Sequence, residues 1–375
     1  MNKNMEENKI TIGITHGDIN GIGYEVILKL LSEPRITEIC TPVIYGSPKV
    51  ASYHRKALNM ESFAFNVITN AEDANPKRIN IVNCVDEEVK VELGKSTEIA
   101  GEAAFLALER ASDDCKKGLI DAIVTAPINK HNIRSDKFKF AGHTEYFREK
   151  FAVGNEQALM LMAADSLKIG LVTTHIPISE IPKQITKENV RRKIQDFEKC
   201  LIRDFGILKP RIAVLGLNPH AGDNGVIGTE ETEIIGPAIK ELQEQSILCY
   251  GPYPSDGFFG SENYRSYDGI LAMYHDQGLI PFKTLAMENG VNFSACLPII
   301  RTSPDHGTAY DIAGQNKASE VSMREALYMA IDIFKNRQLY AQIRSNPLKK
   351  QYYDKGGDTD ISQIAESAAD KDDIL

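Results

Sequence analysis

The chain has 375 residues, enough for one large or two ordinary α/β domains with a large buried core. Its 43 basic and 52 acidic residues give a net charge of −9, and no basic stripe with interleaved aromatic residues is present, which argues against nucleic-acid binding. The six cysteines have no paired spacing and indicate reduced thiols. Without a signal-peptide pattern or an apolar run of membrane-spanning length, we expect a cytoplasmic protein that does not bind membranes.

The first part of the chain alternates between short apolar segments and helical patterns. Residues 9–15 predict a strand, which leads through the loop HGDINGIG into a helix from Tyr24 to about Ser32. This loop lacks the Lys-Ser/Thr of a phosphate loop and the glycine spacing of a dinucleotide fingerprint, so a plain strand-to-helix connection is the favoured interpretation. Further strands are predicted at 41–46, 63–69, 78–85 and 121–127, and a helix capped by Ser96 or Thr97 is predicted to end near Gly118.

A polar elbow follows the strand at 121–127 and ends in a helix predicted at 146–151. His143 and Thr144 lie at the expected start of that helix. The amides and partial positive charge of a helix start favour anions, so this pair predicts an anion site. Thr144 as an ordinary helix cap is equally compatible with the spacing.

Three apolar strands each deliver a histidine at their carboxyl end. LKIGLVTTH ends at His175, RIAVLGLNPH ends at His220 and GILAMYH ends at His275. Ligands of open α/β sheets collect at the carboxyl ends of the strands, and imidazole is the commonest metal ligand. The pattern is compatible with a three-histidine metal site and equally with loop histidines bonded to backbone, because neither HExxH nor a CxxC pair is present to identify a metal.

The last third of the chain adds further polar groups after predicted strands. Asp256 follows the strand at 247–253, Asp276 directly follows His275, and the next helix carries Lys283. A strand at 291–297 contains Asn292, and the loop RTSPDHGTAYDIAG contains Arg301. A helix is predicted at 321–336, before a polar, acidic tail from about 346. Alternating strands and helices predict an α/β fold with a mostly parallel sheet and helices on both faces.

Together these motifs resemble the 4-hydroxythreonine-4-phosphate dehydrogenase family of vitamin B6 biosynthesis, in whose order they occur; they are GDINGIGYE, DAIVTAPINK, AGHTEYF, TTHIP, LGLNPHAGDNGVIGTEE, AMYHDQGLIPFK and RTSPDHGTAYDIAG. The loop HGTAYDIAG is also similar to the adenine-side loop of isopropylmalate dehydrogenases. The resemblance implies an isopropylmalate dehydrogenase-like α/β/α fold with the active site in an interdomain cleft. Its first domain would comprise residues 1–130 and 285–375, and its second residues 131–284, with the dimer interface.

The resemblance also implies roles for residues of this chain. His175, His220 and His275 would bind a divalent metal (zinc, magnesium, manganese or cobalt), with ligands from both subunits of a homodimer. The other implied roles are substrate binding by His143, Thr144, Lys283, Asn292 and Arg301, acid/base or metal-supporting chemistry by Asp256, Asp276 and Lys283, and NAD(P) binding by His306, Gly307 and Asp311.

The implied reaction is NAD(P)-dependent oxidation of 4-phosphohydroxy-L-threonine, followed by loss of carbon dioxide to give 3-amino-2-oxopropyl phosphate. A dehydrogenase of phosphorylated threonate or erythronate is the alternative within the superfamily. From other classes, a metal-dependent phosphohydrolase or aldolase would use no nicotinamide, and a binding module would need no metal. The phosphohydrolase or aldolase usually needs more carboxylate ligands than this chain places beside its histidines.

Overall fold

Short apolar segments recur along the chain and form the strands of a single sheet. The computed structural model describes residues 9–60, 64–85, 89–154, 158–165 and 167–346. The strands in this part of the chain are β1 Thr11–Thr15, β2 Thr41–Gly46, β3 Asn66–Ile68, β4 Asn80–Asn83, β5 Ala122–Thr125, β6 Leu159–Ala164, β7 Leu167–Leu171, β8 Ile212–Leu215, β9 Cys249–Tyr253, β10 Gly269–Ala272, β11 Val291–Ala295 and β12 Arg301–Pro304.

Helices connect most of these strands. They are α1 Gly23–Leu31, α2 Ile36–Ile39, α3 Pro48–Ala57, α4 Glu98–Lys116, α5 His143–Phe151, α6 Ile181–Gln184, α7 Lys187–Arg203, α8 Gly236–Glu244, α9 Ser255–Gly260, α10 His275–Ala286 and α11 Val321–Ser345. Thr97 caps α4 by accepting a hydrogen bond from the Ala100 amide, as expected for one of the two candidate caps.

The sheet is mostly parallel, which confirms the predicted α/β class. Its order in the described residues is β3-β4-β2-β1-β5-β12-β11-β6-β7-β10-β8-β9. Within the described strands, only the contacts of β11 with β12 and β6, and of β6 with β7, are antiparallel. The strands from 1–130 and 285–375 form one contiguous half of this order and those from 131–284 form the other, although the proposed domain division itself stays a prediction.

Alternating side chains of the strands pack on opposite faces of the sheet. One core runs under both halves and includes Ile12, Ile14 and Val214 together with side chains of α1, α7 and α8. The other face carries two separate cores, one against α4 and α5 and the other against α10. Helices therefore cover both faces, as the alternating pattern predicted.

A stack of buried aromatic rings lies beside the first strand. The rings of His16 and Tyr24 stack at 5.2 Å between centroids, and Tyr24 stacks on His54 at 5.1 Å. His54 Nε2 donates to the Ile19 carbonyl at 2.9 Å. Burial lowers the pKa of both imidazoles to about 4, so both are neutral at neutral pH.

The glycine-rich connection after β1 is tied to neighbouring loops, in keeping with the favoured interpretation of a plain connection. The buried Asp18 carboxylate accepts hydrogen bonds from Asn132 Nδ2 and from the Tyr310 hydroxyl, both at 2.7 Å. Ile22 N donates to the Thr308 carbonyl at 3.0 Å. These contacts fix the loop around Tyr310 against the first strand-to-helix turn.

Helix α11 continues to Ser345, nine residues beyond its predicted end at Asn336. Pro347, the next proline, comes only after the helix has ended. Just past the predicted end, Arg337 Nε donates to Asp204 Oδ1 at 2.7 Å and Nη1 donates to the Pro298 carbonyl at 2.9 Å. The predicted acidic tail falls at 347–375, outside the described residues.

All six cysteines are free thiols, as their spacing predicted. No helix in the described part of the chain is both long enough and apolar enough to cross a bilayer.

Candidate active site

A cavity of about 430 Å³ lies between the start of α5 and the start of α10, at the carboxyl ends of β5 and β12. Parallel strands end together at this edge of the sheet, which brings distant parts of the chain to one place. Ten of the residues predicted for the site line the cavity; they are His143, Thr144, His175, His275, Asp276, Lys283, Asn292, Arg301, His306 and Gly307. Asp256, His220 and Asp311 are not among its lining residues.

Arg301 is a buried cation at the floor of the cavity, 3% exposed. Its Nε and Nη2 donate to Thr125 Oγ1 at 3.1 and 2.7 Å, and Nη1 donates to Ser294 Oγ at 3.3 Å. Among the described residues no carboxylate forms an ion pair with it. Burial lowers the pKa of Arg301 to about 9, which still leaves the guanidinium positive at neutral pH. An anionic ligand would supply the missing opposite charge.

His143 opens α5 next to this guanidinium. Its Nε2 is buried and has no hydrogen-bond partner among the described residues. Burial lowers the pKa of His143 well below its ordinary value, and the nearby Arg301 and Lys130 lower it further. The ring is therefore neutral and has a hydrogen-bonding atom available to a ligand. Thr144 also faces the cavity. Helix α5 begins at His143, three residues before the predicted 146, and no side chain among the described residues caps it, so the capping alternative for Thr144 is wrong.

His175 and His275 come together from the ends of β7 and β10, with ring centroids 5.7 Å apart. Each ring is bonded through Nδ1 to a carboxylate, His175 to Glu145 Oε1 at 3.3 Å and His275 to Asp276 Oδ1 at 2.7 Å. A carboxylate on Nδ1 fixes the ring and leaves Nε2 as the free nitrogen. The hydrogen bond from His175 holds the pKa of Glu145 below its ordinary value.

Lys283 and its neighbours form the opposite wall. Lys283 Nζ lies 3.2 Å from Asp305 Oδ1. Burial raises the pKa of Asp305, and Lys283 opposes that shift. Asn292 Oδ1, Asp305 Oδ2 and His306 Nε2 are all buried without a hydrogen-bond partner among the described residues. Buried polar atoms are nearly always paired, so this cluster indicates space for a polar ligand.

The three remaining predicted residues lie elsewhere. His220 is exposed on the loop after β8, where its φ is 52°. Asp256 lies in α9 and lines a separate groove of α9 and α10 residues, which it shares with Asp276. Asp311 is exposed in the turn Tyr310–Ile312. Within the described part of a single chain, no three His, Cys, Asp or Glu side chains are grouped closely enough to hold a metal.

Four further residues line the cavity without having been predicted for the site, namely Thr125, Lys130, Glu145 and Asp305. Glu145 follows the His143-Thr144 pair, but its partner His175 is 30 positions away. Thr125 and Arg301 are 176 positions apart. Asp305 directly precedes His306, and the polar loop was its one visible signal.

Comparison with known proteins decides the family. A family model described as "Pyridoxal phosphate biosynthetic protein PdxA" matches residues 38–330. The chain belongs to the PdxA family. A PdxA relative from Bacteroides thetaiotaomicron, named 4-hydroxythreonine-4-phosphate dehydrogenase, is 60% identical over 95% of this chain and 97% of its own length.

A solved structure shares the fold. It is 4-hydroxythreonine-4-phosphate dehydrogenase from Klebsiella pneumoniae, which has a TM-score of 0.76 and 34% identity over 88% of this chain and 99% of that chain. A relative from Oceanobacillus iheyensis, whose name refers to D-threonate 4-phosphate dehydrogenase, is 38% identical over 87% of this chain and 98% of its own length. Both substrate names therefore occur among proteins similar to this PdxA chain.

Proposed function

We propose that the protein is a cytoplasmic, NAD(P)-dependent 4-hydroxythreonine-4-phosphate dehydrogenase of pyridoxal 5′-phosphate biosynthesis. The observation that carries the proposal is the relative of that name, 60% identical over 95% of this chain. The substrate would be 4-phosphohydroxy-L-threonine. Oxidation of its C3 hydroxyl gives a β-keto acid, which loses carbon dioxide to form 3-amino-2-oxopropyl phosphate.

The cavity suits a small substrate with two anionic ends. Arg301 and Lys283 supply positive charge from two sides, while the His143 ring and Thr144 add neutral polar groups. The unpartnered Asn292 Oδ1 can accept a hydrogen bond from the substrate amino group. Holding both ends of the substrate orients the reacting carbon, which contributes to catalysis by proximity.

The residues present also fit a divalent metal ion. His175 and His275 lie side by side, and each has a carboxylate on Nδ1, the arrangement that presents Nε2 to a metal. A set of imidazole ligands favours zinc or cobalt over magnesium, with manganese as a further candidate. When bound, the metal would act as a Lewis acid on the substrate hydroxyl and on the carbonyl formed from it.

The third ligand, His220, would come from a second copy of the chain. In the described part of a single chain it is exposed and outside the cavity that contains the other two histidines. The exposed apolar side chains Val226 and Ile227 follow it on the same loop, and Ile280 and Leu285 are exposed on α10. Apolar surface at both places is compatible with a homodimer whose active sites are shared.

The remaining steps use groups already described. Lys283, held by Asp305, is placed to stabilise the substrate oxygen as its hydroxyl proton leaves and to donate a proton after carbon dioxide has departed, with Asp276 as a supporting carboxylate beside His275. Asp256, close to Asp276 in the neighbouring groove, is a second candidate carboxylate. NAD(P)⁺ would accept the hydride, and we assign its site to His306, Gly307 and Asp311. Among the described residues, no hydrogen-bond partner reaches His306 Nε2, and no atom would lie within 4 Å of a Cβ added at Gly307.

The test is NADH or NADPH formation by metal-stripped protein reloaded with zinc, cobalt, manganese or magnesium. We expect turnover of 4-phosphohydroxy-L-threonine, loss of turnover on chelation, and release of carbon dioxide in step with reduced nicotinamide. No turnover of this substrate with any of the four metals would refute the proposal.

A dehydrogenase of phosphorylated threonate or erythronate is the second candidate, supported by the 38% identical relative from Oceanobacillus iheyensis. These substrates carry a hydroxyl in place of the amino group. The same assay with D-threonate 4-phosphate and D-erythronate 4-phosphate separates the candidates, because the true substrate has the higher kcat/KM.

A further inference from the structure

The loop that carries His220, here the His220 loop (residues 218–228), has an unusual backbone. His220, Ala221, Asp223 and Asn224 all have φ between 43° and 55°, and Gly222 lies among them at 78°. Residues other than glycine adopt this left-handed region at an energetic cost, and rarely several in succession. Such a run persists only where surrounding contacts hold it in place.

Glu231 provides those contacts from the turn that follows the loop. It is 3% exposed. Its Oε1 accepts hydrogen bonds from the backbone amides of Leu217 and Asn218, both at 2.7 Å, and its Oε2 accepts one from Asn218 Nδ2 at 3.0 Å. Both carboxylate oxygens are therefore bonded at the point where β8 enters the loop. Among the described residues, Glu231 forms no ion pair.

The loop closes around the same carboxylate. A Cβ added at Gly222 would lie 2.6 Å from Glu231 Oε2, so only glycine allows the backbone to approach this closely. Gly222 is also bonded to the end of the loop, because the Ile227 amide donates to the Gly222 carbonyl at 3.1 Å. Glu231 thus contacts the loop at its entry and at its middle, on both sides of His220.

We propose that Glu231 is a positioning residue: it holds the His220 loop in its left-handed conformation and thereby sets the position of the His220 imidazole for metal binding. This inference rests on the proposed function, since it takes His220 as a ligand. Glu231 itself contacts neither metal nor substrate in this role. The carboxylate is needed because a shorter or absent side chain leaves the Leu217 and Asn218 amides without their acceptor, and a neutral amide cannot also accept from Asn218 Nδ2.

The test titrates Co²⁺ alone into the metal-stripped full-length protein and follows its visible absorption, which reports ligand geometry. We expect Glu231→Ala to raise the Co²⁺ dissociation constant by about tenfold or more and to change the spectrum, as removal of a group that orients a ligand does. Glu231→Gln keeps an acceptor for the two amides, so it should bind Co²⁺ more tightly than Glu231→Ala and more weakly than the wild type. Glu233→Ala, which removes an exposed carboxylate two residues along, is the matched control and should bind like the wild type.

A double-mutant cycle with His220→Ala separates positioning from general damage. If Glu231 acts through His220, Glu231→Ala causes no further loss of affinity in the His220→Ala background. An equal loss in both backgrounds would overturn the inference, and so would wild-type affinity in Glu231→Ala. If His220→Ala itself binds Co²⁺ like the wild type, the proposed three-histidine site fails instead.

Should Glu231→Ala fail to fold, Glu231→Gln and Gly222→Ala replace it in the cycle. Gly222→Ala places a methyl group 2.6 Å from Glu231 Oε2 and 2.8 Å from the Gly228 carbonyl, and it should weaken Co²⁺ binding only while His220 is present. Wild-type affinity in both variants would overturn the inference.

Discussion

The two walls of the cavity carry similar charged groups but neutralise them differently. On the wall formed by α5 and β12, the described part of the chain gives Arg301 only hydroxyl partners and gives His143 Nε2 none. On the wall formed by α10, Lys283 is paired with Asp305 and His275 with Asp276. A buried cation without a carboxylate is costly until a ligand supplies the anion. The first wall is therefore suited to binding, and the second to holding a metal and moving a proton.

The largest effect should follow from removing a metal ligand on the α10 wall. We expect His275→Ala to lower kcat/KM by roughly 10³-fold and to abolish tight Co²⁺ binding. His143→Ala is the matched control on the other wall and should retain the metal while binding substrate more weakly. Metal content after dialysis, measured together with kcat/KM, checks both. Full metal content in the His275→Ala variant would show that the α10 wall does not hold the metal.

Lys283→Met should have the next largest effect. Because Lys283 is assigned to proton transfer, we expect kcat to fall by roughly 10²-fold with a smaller change in KM. Steady-state kinetics at several pH values measure both parameters. A change confined to KM would mean that Lys283 only binds substrate, and the two walls would then have the same role.

Arg301→Met should act on substrate binding. Loss of a charged hydrogen-bonding partner is expected to raise KM by about 30-fold with little change in kcat. Because the variant also removes a buried charge that has no carboxylate partner, its thermal midpoint should equal or exceed that of the wild type. Arg324→Met is the control for loss of an arginine, because it removes an α11 arginine that pairs locally with Glu320 just before the helix. A destabilised Arg301→Met variant would show that Arg301 serves the fold.

Thr125→Val should give the smallest of these effects. The Thr125 hydroxyl accepts two hydrogen bonds from Arg301, so its loss leaves the guanidinium less well oriented. We expect about a fivefold rise in KM, equivalent to one hydrogen bond of about 1 kcal/mol. Titration of substrate binding by calorimetry checks this value, and an effect larger than that of Arg301→Met would contradict the assigned order.

Much of the fold and the general location of the site could be predicted from the sequence. Alternation of apolar and polar segments marks the strands, and a parallel sheet brings their carboxyl ends together, which is why His175 and His275 meet. Pairings between distant positions could not be predicted. Glu145 looks like one more acidic residue at a helix start. Arg301 is the first residue of a strand, and its buried hydrogen-bond partner Thr125 is 176 positions away.

The shape of the His220 loop was also beyond sequence reasoning. Left-handed backbone is expected at glycine and tolerated by Asn, Asp or His, but Ala221 carries no such signal. The conformation follows from the bonds that Glu231 makes across the loop, which only the folded chain reveals.

The stacked rings of His16, Tyr24 and His54 should make the folded protein less stable at acidic pH. Unfolding exposes the two imidazoles and returns their pKa from about 4 to an ordinary 6.5. Below pH 6.5, the unfolded chain therefore binds protons at these rings while the folded chain does not. As the pH falls from 6.5 towards 4, protonation of each imidazole in the unfolded chain should lower the free energy of unfolding by up to about 3 kcal/mol. Acid inactivation would then begin at three packed side chains that do not themselves line the cavity.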